Sequence, residues 1–256
     1  MTEARVEIYD IMACNVYMDF DHSALQKEQH KFLVAFYPTG GAPIPELVTS
    51  ITARGPGGYE VAIANQEFTA ANRNGWIYDR TTNSHWYMVN LDTGFMKEGE
   101  YTIEVRTHDG RNVQAARRQT NRSTQQLVSA YTRSKDAITS SWSPSKLQPF
   151  QGSSLRKVPV TWSSLKTQAD VDAYYIFRLS EGRSGKEFNT QKLVWWDNIF
   201  TQRLSQPEAG LNRDSVVLGS ELSAGKSYVY FVEVTDSNAM GRTNICIFQP
   251  HQAFTT

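Results

Sequence analysis

Cysteine is scarce in this chain. Cys14 and Cys246 are the only two in 256 residues, they lie near opposite ends, and neither sits in a metal-ligand spacing. That excludes a cysteine-built metal centre. Two buried thiols are the expectation, with a disulfide between the two halves as the alternative. An excess of either charge is equally absent, since Lys and Arg total 26 and Asp and Glu total 26. Proteins that grip nucleic acid draw much of their affinity from neutralised phosphates and carry a basic excess, so nucleic acid is not an expected partner. No apolar run approaches the roughly 20 residues that span a bilayer, so no transmembrane segment is expected. The opening Met1-Thr-Glu-Ala-Arg-Val-Glu-Ile-Tyr9 lacks the basic and then apolar pattern of a signal peptide. The expectation is an intracellular protein or a mature region placed behind a new methionine.

The motifs of the common chemistries are missing as well. There is no Gly-x-Ser-x-Gly elbow, and Gly55-Pro-Gly-Gly58 lacks the lysine and helix of a phosphate-binding loop, so it reads as a turn. His22, His30, His85, His108 and His251 form no His-x-x-x-His pair of the kind a zinc hydrolase would need. Asp19 and Asp21 share one side of an extended strand, but no further acidic cluster supplies the six to eight oxygens calcium takes. Carboxylate pairs for glycoside hydrolysis, drawn from Asp19, Asp21, Asp79, Asp92, Asp170 and Asp172, are a matter of distance in space. No catalytic residue, metal or cofactor is assigned.

What the chain does have is β structure and aromatic residues: 12 Tyr, 12 Phe and 6 Trp, which suit pleated, half-buried surfaces. Alternating segments bounded by Gly, Pro and Asn clusters predict strands at Val6–Ile8, Asn15–Phe20, Phe32–Tyr37, Leu47–Arg54, Glu60–Ala64, Trp86–Leu91 and Tyr101–Thr107. In the second half they predict Val158–Trp162, Ala173–Leu179, Lys192–Trp196, Ser215–Leu218, Tyr228–Thr235 and Arg242–Phe248. No segment shows a sustained helical period, with at most a short turn at Ser23–Lys31. Arg111–Ser154, rich in Gln, Arg, Ser and Thr, reads as an edge strand at Gln126–Tyr131 followed by a linker. Its basic residues Arg117, Arg118, Arg122, Arg133 and Lys135 read as solvated surface.

One device occurs twice. Phe95-Met-Lys-Glu-Gly-Glu-Tyr101 and Leu222-Ser-Ala-Gly-Lys-Ser-Tyr228 each run from an apolar residue through a glycine turn to a tyrosine that opens a strand. In β-sandwiches such a tyrosine bonds its hydroxyl back to upstream backbone and locks the crossover between sheets. Two copies predict an all-β chain of two tandem sandwich domains, residues 1–135 and 136–256.

The second half resembles fibronectin type III domains: Trp162 closes its second strand, Tyr174 and Tyr175 lie in the third, and Leu222-x-x-Gly225-x-x-Tyr228 precedes the sixth, with Ala224 where proline is usual. The resemblance covers roughly residues 144–249 and implies that Trp162 and Tyr174 or Tyr175 are core residues. In the first half, Gly99-Glu-Tyr-Thr-Ile-Glu-Val-Arg-Thr-His-Asp-Gly110 is similar to the closing strands of bacterial immunoglobulin-like repeats, so an immunoglobulin-like sandwich is implied there, with a jelly roll as the alternative. These domain types favour the cell surface or exterior.

For function, the aromatics carry the signal. Asn72-Arg-Asn-Gly-Trp76-Ile-Tyr78-Asp-Arg-Thr-Thr-Asn-Ser-His-Trp86-Tyr87 surrounds tryptophans with amides, arginines and hydroxyls, a combination that serves saccharide stacking or, equally, a hydrophobic core. Trp195 and Trp196 are adjacent, so on a strand they point to opposite faces, and an inter-domain contact, a ligand contact and irregular packing all remain open. The expected role is a non-catalytic binding or adhesion module for a saccharide or protein surface, with Trp76, Tyr78, Trp86, Trp195 and Trp196 as the candidate contacts. A structural spacer or assembly subunit and a carbohydrate-active enzyme with an accessory sandwich are the competing readings.

Overall fold

A computed structural model describes residues 5–20, 25–80, 82–183 and 187–256. Asp21, His22 and Ser23 lie outside the described residues. The chain is an all-β protein with sandwich-like sheets. It divides into two compact units, each discontinuous in sequence: Met1–Val16 with Gln26–Arg122 and Ala239–Asn244, and Tyr17–Leu25 with Ser123–Asn238 and Ile245–Thr256.

In the first unit, β1 (Ile8–Met18), β2 (Glu28–Phe36), β6 (Ser84–Leu91) and β5 (Asn74–Asp79) lie side by side in that order. The last two residues of β1 belong to the second unit. A four-stranded sheet is built from β4 (Tyr59–Ile63), β3 (Val48–Gly55), β7 (Gly99–Thr107) and β8 (Asn112–Gln119), with a short helix α1 (Ile44–Leu47) leading into β3. Alternate residues of both sheets meet in one core: Phe32, Val34 and Phe36 from β2, Ile51 and Ala53 from β3, and Tyr101, Ile103 and Val105 from β7. Burial alternates with period two along β7 and through Ile51–Ala53 of β3, whereas β2 is buried on both faces from Gln29 to Phe36. Each large side chain removed from water contributes about 1.5–3 kcal/mol.

The second unit opens with a finding the composition concealed. Where an edge strand was expected at Gln126–Tyr131, the chain forms α2 (Thr124–Ser140), and Ser23–Lys31, expected as at most a turn, ends in strand β2. The buried stripe of α2 is Thr124, Leu127, Ala130, Tyr131, Ser134 and Ile138. Half of it is small or hydroxylic, which dilutes the apolar period that marks a helix. Tyr131 and Lys135, one turn apart, hold the buried Asp19: the Tyr131 hydroxyl donates to Asp19 Oδ2 at 2.8 Å and Lys135 Nζ lies 2.6 Å from the same oxygen. The basic residues of this region are not uniformly solvated either. Arg117 is buried, because its guanidinium donates to the carbonyls of Gly241 and Thr243 and to Asn244 Oδ1 at 3.3 Å.

The rest of that unit is two facing layers. β9 (Pro159–Thr161) pairs with β12 (Ser215–Val217). In the other layer β11 (Leu193–Trp196), β10 (Tyr174–Glu181) and β13 (Ser227–Thr235) are consecutive, and β13 pairs with β14 (Ile245–Phe248) at one end and β15 (Gln252–Thr255) at the other. Short helices α3 (Leu165–Ala169) and α4 (Ile199–Gln202) cap the connections. The core is aromatic: Trp142 stacks on Trp162 at 5.6 Å, Trp162 on Phe177 at 6.1 Å, and Phe177 meets Tyr230 at 5.3 Å. Tyr175 is buried beside them while Tyr174 is half-buried.

Both tyrosine corners form. The Tyr101 hydroxyl donates to the Lys97 carbonyl at 3.0 Å, and the Tyr228 hydroxyl accepts from the Ser223 N–H at 2.8 Å. Gly55 is required by the first corner, since a Cβ there would come within 2.2 Å of the Tyr101 ring. Tyr101→Phe and Tyr228→Phe should each lower unfolding free energy by about 1 kcal/mol in urea titrations, because each leaves a backbone group without its partner. An unchanged midpoint would remove the corner bond from the account of stability.

His30 gives a second expectation. It is buried, with Nδ1 2.7 Å from the Gly94 carbonyl and Nε2 2.5 Å from the Tyr59 hydroxyl. A carbonyl only accepts, so Nδ1 carries the proton and Nε2 accepts from Tyr59. Burial pushes the His30 pKa below its ordinary 6.5 and the Tyr59 hydroxyl up to about 12. A histidine depressed in the folded state contributes stability that is complete above the unfolded pKa and is lost as pH falls through the folded one. Unfolding free energy should therefore decline as pH drops below 6.5, and His30→Asn should flatten that decline.

Candidate functional site

The hairpin of β5 and β6 sorts its aromatics by register. Trp76 opposes Tyr87, Tyr78 opposes His85, and Ile77 opposes Trp86. Residues directly opposed across an antiparallel pair share a face, and neighbours along a strand do not. Trp76, Tyr78, His85 and Tyr87 therefore lie on the core side, and Trp86 on the reverse.

On the core side, Tyr87 is buried and Trp76 packs, half-buried, at the core's edge. Further along β5 the layer opens, and Tyr78 is 42% exposed. His85 joins the two rings, 5.2 Å from Trp76 in an edge-on contact and 5.1 Å from Tyr78 in a tilted one. The Tyr78 hydroxyl donates to Asn83 Oδ1 at 2.5 Å in the connecting turn. Burial lowers the His85 pKa, so the imidazole is neutral at pH 7. The outcome is a continuous strip, Trp76–His85–Tyr78, running from core to solvent without formal charge and ending in an exposed amide. Such a strip can stack against a flat, weakly polar ligand face while Asn83 and the tyrosine hydroxyl orient it.

Trp86 does different work. It is 1% exposed, and its indole N–H donates to Ser84 Oγ at 2.9 Å. Ser84 is linked to Thr82 at 2.6 Å, and Thr82 donates to Asp79 Oδ2 at 2.6 Å, so this chain of bonds closes the hairpin that carries the strip. His85 was not among the residues singled out from sequence. Its signal was the register itself: in a hairpin that pairs Trp76 with Tyr87, position 85 falls opposite Tyr78.

In the second unit, Trp195 and Trp196 do point opposite ways from the edge strand β11. Trp195 is half-buried against Phe177 at 5.7 Å, and its indole approaches so closely that a Cβ at Gly219 would lie 2.8 Å from Nε1. Trp196 is buried, with the Arg178 guanidinium 4.9 Å from its ring centroid. Arg178 also faces Phe231 at 5.6 Å and forms an ion pair with the fully buried Glu233.

Acid–base chemistry finds little support. Glu104, Asp109 and Asp172 are held below the usual carboxylate range, first of all by hydrogen bonds from Arg106, Arg111 and Asn212 respectively. A general acid needs the opposite shift. Asp170 and Asp172 share Lys166, at 2.8 and 3.3 Å, on an exposed surface. Asp79 is bound within its hairpin and Asp19 by α2. Among the described residues no group of three His, Cys, Asp or Glu side chains converges as metal ligands. Cys14 and Cys246 are buried thiols. An open depression of about 620 Å³ runs along residues 206–213, where the charged Arg213 is engaged by Asp197.

No family model matches the sequence, and no curated protein matches it. Among solved structures, Tp47, the 47-kilodalton lipoprotein of Treponema pallidum, is similar over 99% of this chain and 52% of its own, at 10% identity and a TM-score of 0.34. The chain thus spans about half the length of that protein. Fibronectin(III)-like modules of Clostridium thermocellum CbhA are similar over 96% of this chain and 94% of theirs, at 9% identity and a TM-score of 0.21.

Proposed function

We propose that this chain is a non-catalytic binding module of a larger assembly or multidomain protein, and that its ligand is a neutral saccharide held on the first unit. The observation that carries this reading is the Trp76–His85–Tyr78 strip, with Tyr78 exposed and the Asn83 amide at its end. Aromatic faces stack on the C–H surface of a pyranose, and a flanking amide and hydroxyl supply direction. A neutral imidazole between the rings keeps the strip free of the charge that would favour an anion. Trp86 supports the hairpin from behind, and Trp195 and Trp196 perform a comparable supporting service in the second unit.

The second unit is, on this reading, a fibronectin type III-like sandwich that acts as a partner domain or spacer. The pairing of β9 with β12 against a layer of β11, β10, β13 and β14 supports that assignment, as do the buried Trp162 and the Tyr228 corner. Modules of this kind favour the cell exterior.

A glycan array probed with the whole chain tests the proposal. Tyr78→Ala should weaken binding of any glycan found by about 2 kcal/mol at only a small cost to the urea midpoint, since the side chain is 42% exposed and lies outside the core cluster. Trp76→Ala should lose both binding and some stability, because that ring also packs on the core. Silence across the array, or binding that is indifferent to Tyr78→Ala, would overturn the saccharide reading.

A further inference from the structure

Every open sheet ends in strands whose outer N–H and C=O groups lack a strand partner, and folded chains blunt such edges with charge, proline, bulges or a covering segment. In the four-stranded sheet of the first unit, β4 is covered by a side chain: Asn74 donates to the Ala62 carbonyl at 3.1 Å and accepts from the Ala64 N–H at 2.8 Å. At the other end, β8 is covered over its second half only. There Arg117 reaches the Gly241 and Thr243 carbonyls, Gln119 Nε2 donates to the Asn244 carbonyl at 3.0 Å, and the Thr120 N–H donates to Asn244 Oδ1 at 3.2 Å.

The first half of β8, Asn112-Val-Gln-Ala-Ala116, carries none of the blunting devices. It has no charge and no proline, and its register with β7 runs without a shift from Arg106↔Asn112 to Gly99↔Gln119. Asn112, Gln114 and Ala116 are exposed. The hydrogen-bond phase follows from the hairpin, where the Thr107 N–H donates to the Arg111 carbonyl at 3.1 Å. Bonded and non-bonded pairs alternate along an antiparallel ladder. Val113 and Ala115 therefore direct their backbone groups to β7, and Asn112, Gln114 and Ala116 direct theirs outward. Among the described residues no other segment bonds those outward groups.

We infer that this half-strand is a self-pairing edge, and that its partner is a second copy of the chain. An antiparallel pairing about a two-fold axis through Gln114 sets Asn112 opposite the partner's Ala116 and Gln114 opposite the partner's Gln114. Each of these outward-facing pairs then exchanges both of its N–H···O bonds. The same axis sets Val113 opposite the partner's Ala115, so no like charges meet within the five-residue stretch. At its ends Arg111, paired with Asp109, comes opposite the partner's Arg117, whose guanidinium is held by the Gly241 and Thr243 carbonyls. Moving the axis to Ala115 would call on Arg118, whose carbonyl already accepts from Arg117 Nη1 at 3.0 Å, so the Gln114 register is the favoured one. The stretch is complementary to itself and offers a foreign strand no charge by which to be selected. The interface is isologous and closed, and its shortness makes the dimer a reversible one.

Sedimentation equilibrium of the whole chain over a concentration series reads this directly. The weight-average mass should rise from 29.0 kDa toward twice that value. Gln114→Pro removes an outward N–H that β7 does not use, so it should leave far-UV circular dichroism unchanged and hold the mass at that of the monomer. Gln114→Lys brings like charges together across the axis. It should weaken dimerisation several-fold, and added salt should restore part of the loss. A monomer at every soluble concentration would overturn the proposal, as would a dimer that persists unchanged in either folded variant.

Discussion

A chain made of short strands must satisfy its backbone where the strands stop, and this protein meets that demand with side chains. Tyr101 bonds the Lys97 carbonyl, Tyr228 the Ser223 N–H, Tyr175 the Leu165 N–H at 2.6 Å, and Tyr230 the Pro144 carbonyl. Asn238 donates to the carbonyls of Pro207 and Ala209, and Asn65 to those of Pro45 and Val48. Each bond is worth only about 0.5–1.5 kcal/mol net, but losing one leaves a polar group stranded at larger cost. These clamps fix where crossovers and loops leave the sheets, and so decide which residues face inward. Burial raises the hydroxyl pKa of Tyr175 and Tyr230 and keeps both protonated, so the clamps are insensitive to pH over the ordinary range.

That dependence explains what could be read from the sequence. The corners at Tyr101 and Tyr228 were legible because hydroxyl and backbone partner lie within five residues of each other. The second-half strands other than β15 (Gln252–Thr255) were legible because alternation and turn residues are local signals as well. Arg117 was not, since its partners stand more than a hundred residues along the chain and nothing near it marks them. Helix α2 was hidden by its own buried face, where Thr124, Ala130 and Ser134 stand in for larger apolar residues. Strands β5 and β8 escaped for related reasons. β5 is entered from a run of polar turn residues, and β8 mixes Gln and Arg with alanine.

The candidate site shows the same boundary between local and non-local information. Alternation alone puts Trp76 and Tyr78 on one face, and that much was available from the sequence. Membership of His85 depends on which residue stands across from Tyr78, and the separation of Trp86 depends on a single step in the same register. A shift of β5 by one residue would turn Tyr78 to the reverse side and Ile77 to the core side, and the same slip in β6 would carry Trp86 to the core side and take His85 out of the strip. The Trp86–Ser84–Thr82–Asp79 chain of bonds opposes that shift, because it is satisfied only when the turn closes as it does. The strip is thus held in place from its reverse face.

The strip and the open half of β8 belong to different sheets of one unit, so occupying one leaves the other accessible. This separation has a consequence for affinity. An aromatic strip of three rings on an open surface excludes little water and orders few groups of its ligand, so a single site is necessarily modest. Pairing through β8 would place two strips on one particle and turn the second contact into an intramolecular event, which raises avidity only if the ligand spans both. A repeating polymer meets that condition and a short oligosaccharide does not. Length dependence of binding, lost together with self-association in the Gln114 variants, would be the signature of the two surfaces working as one device.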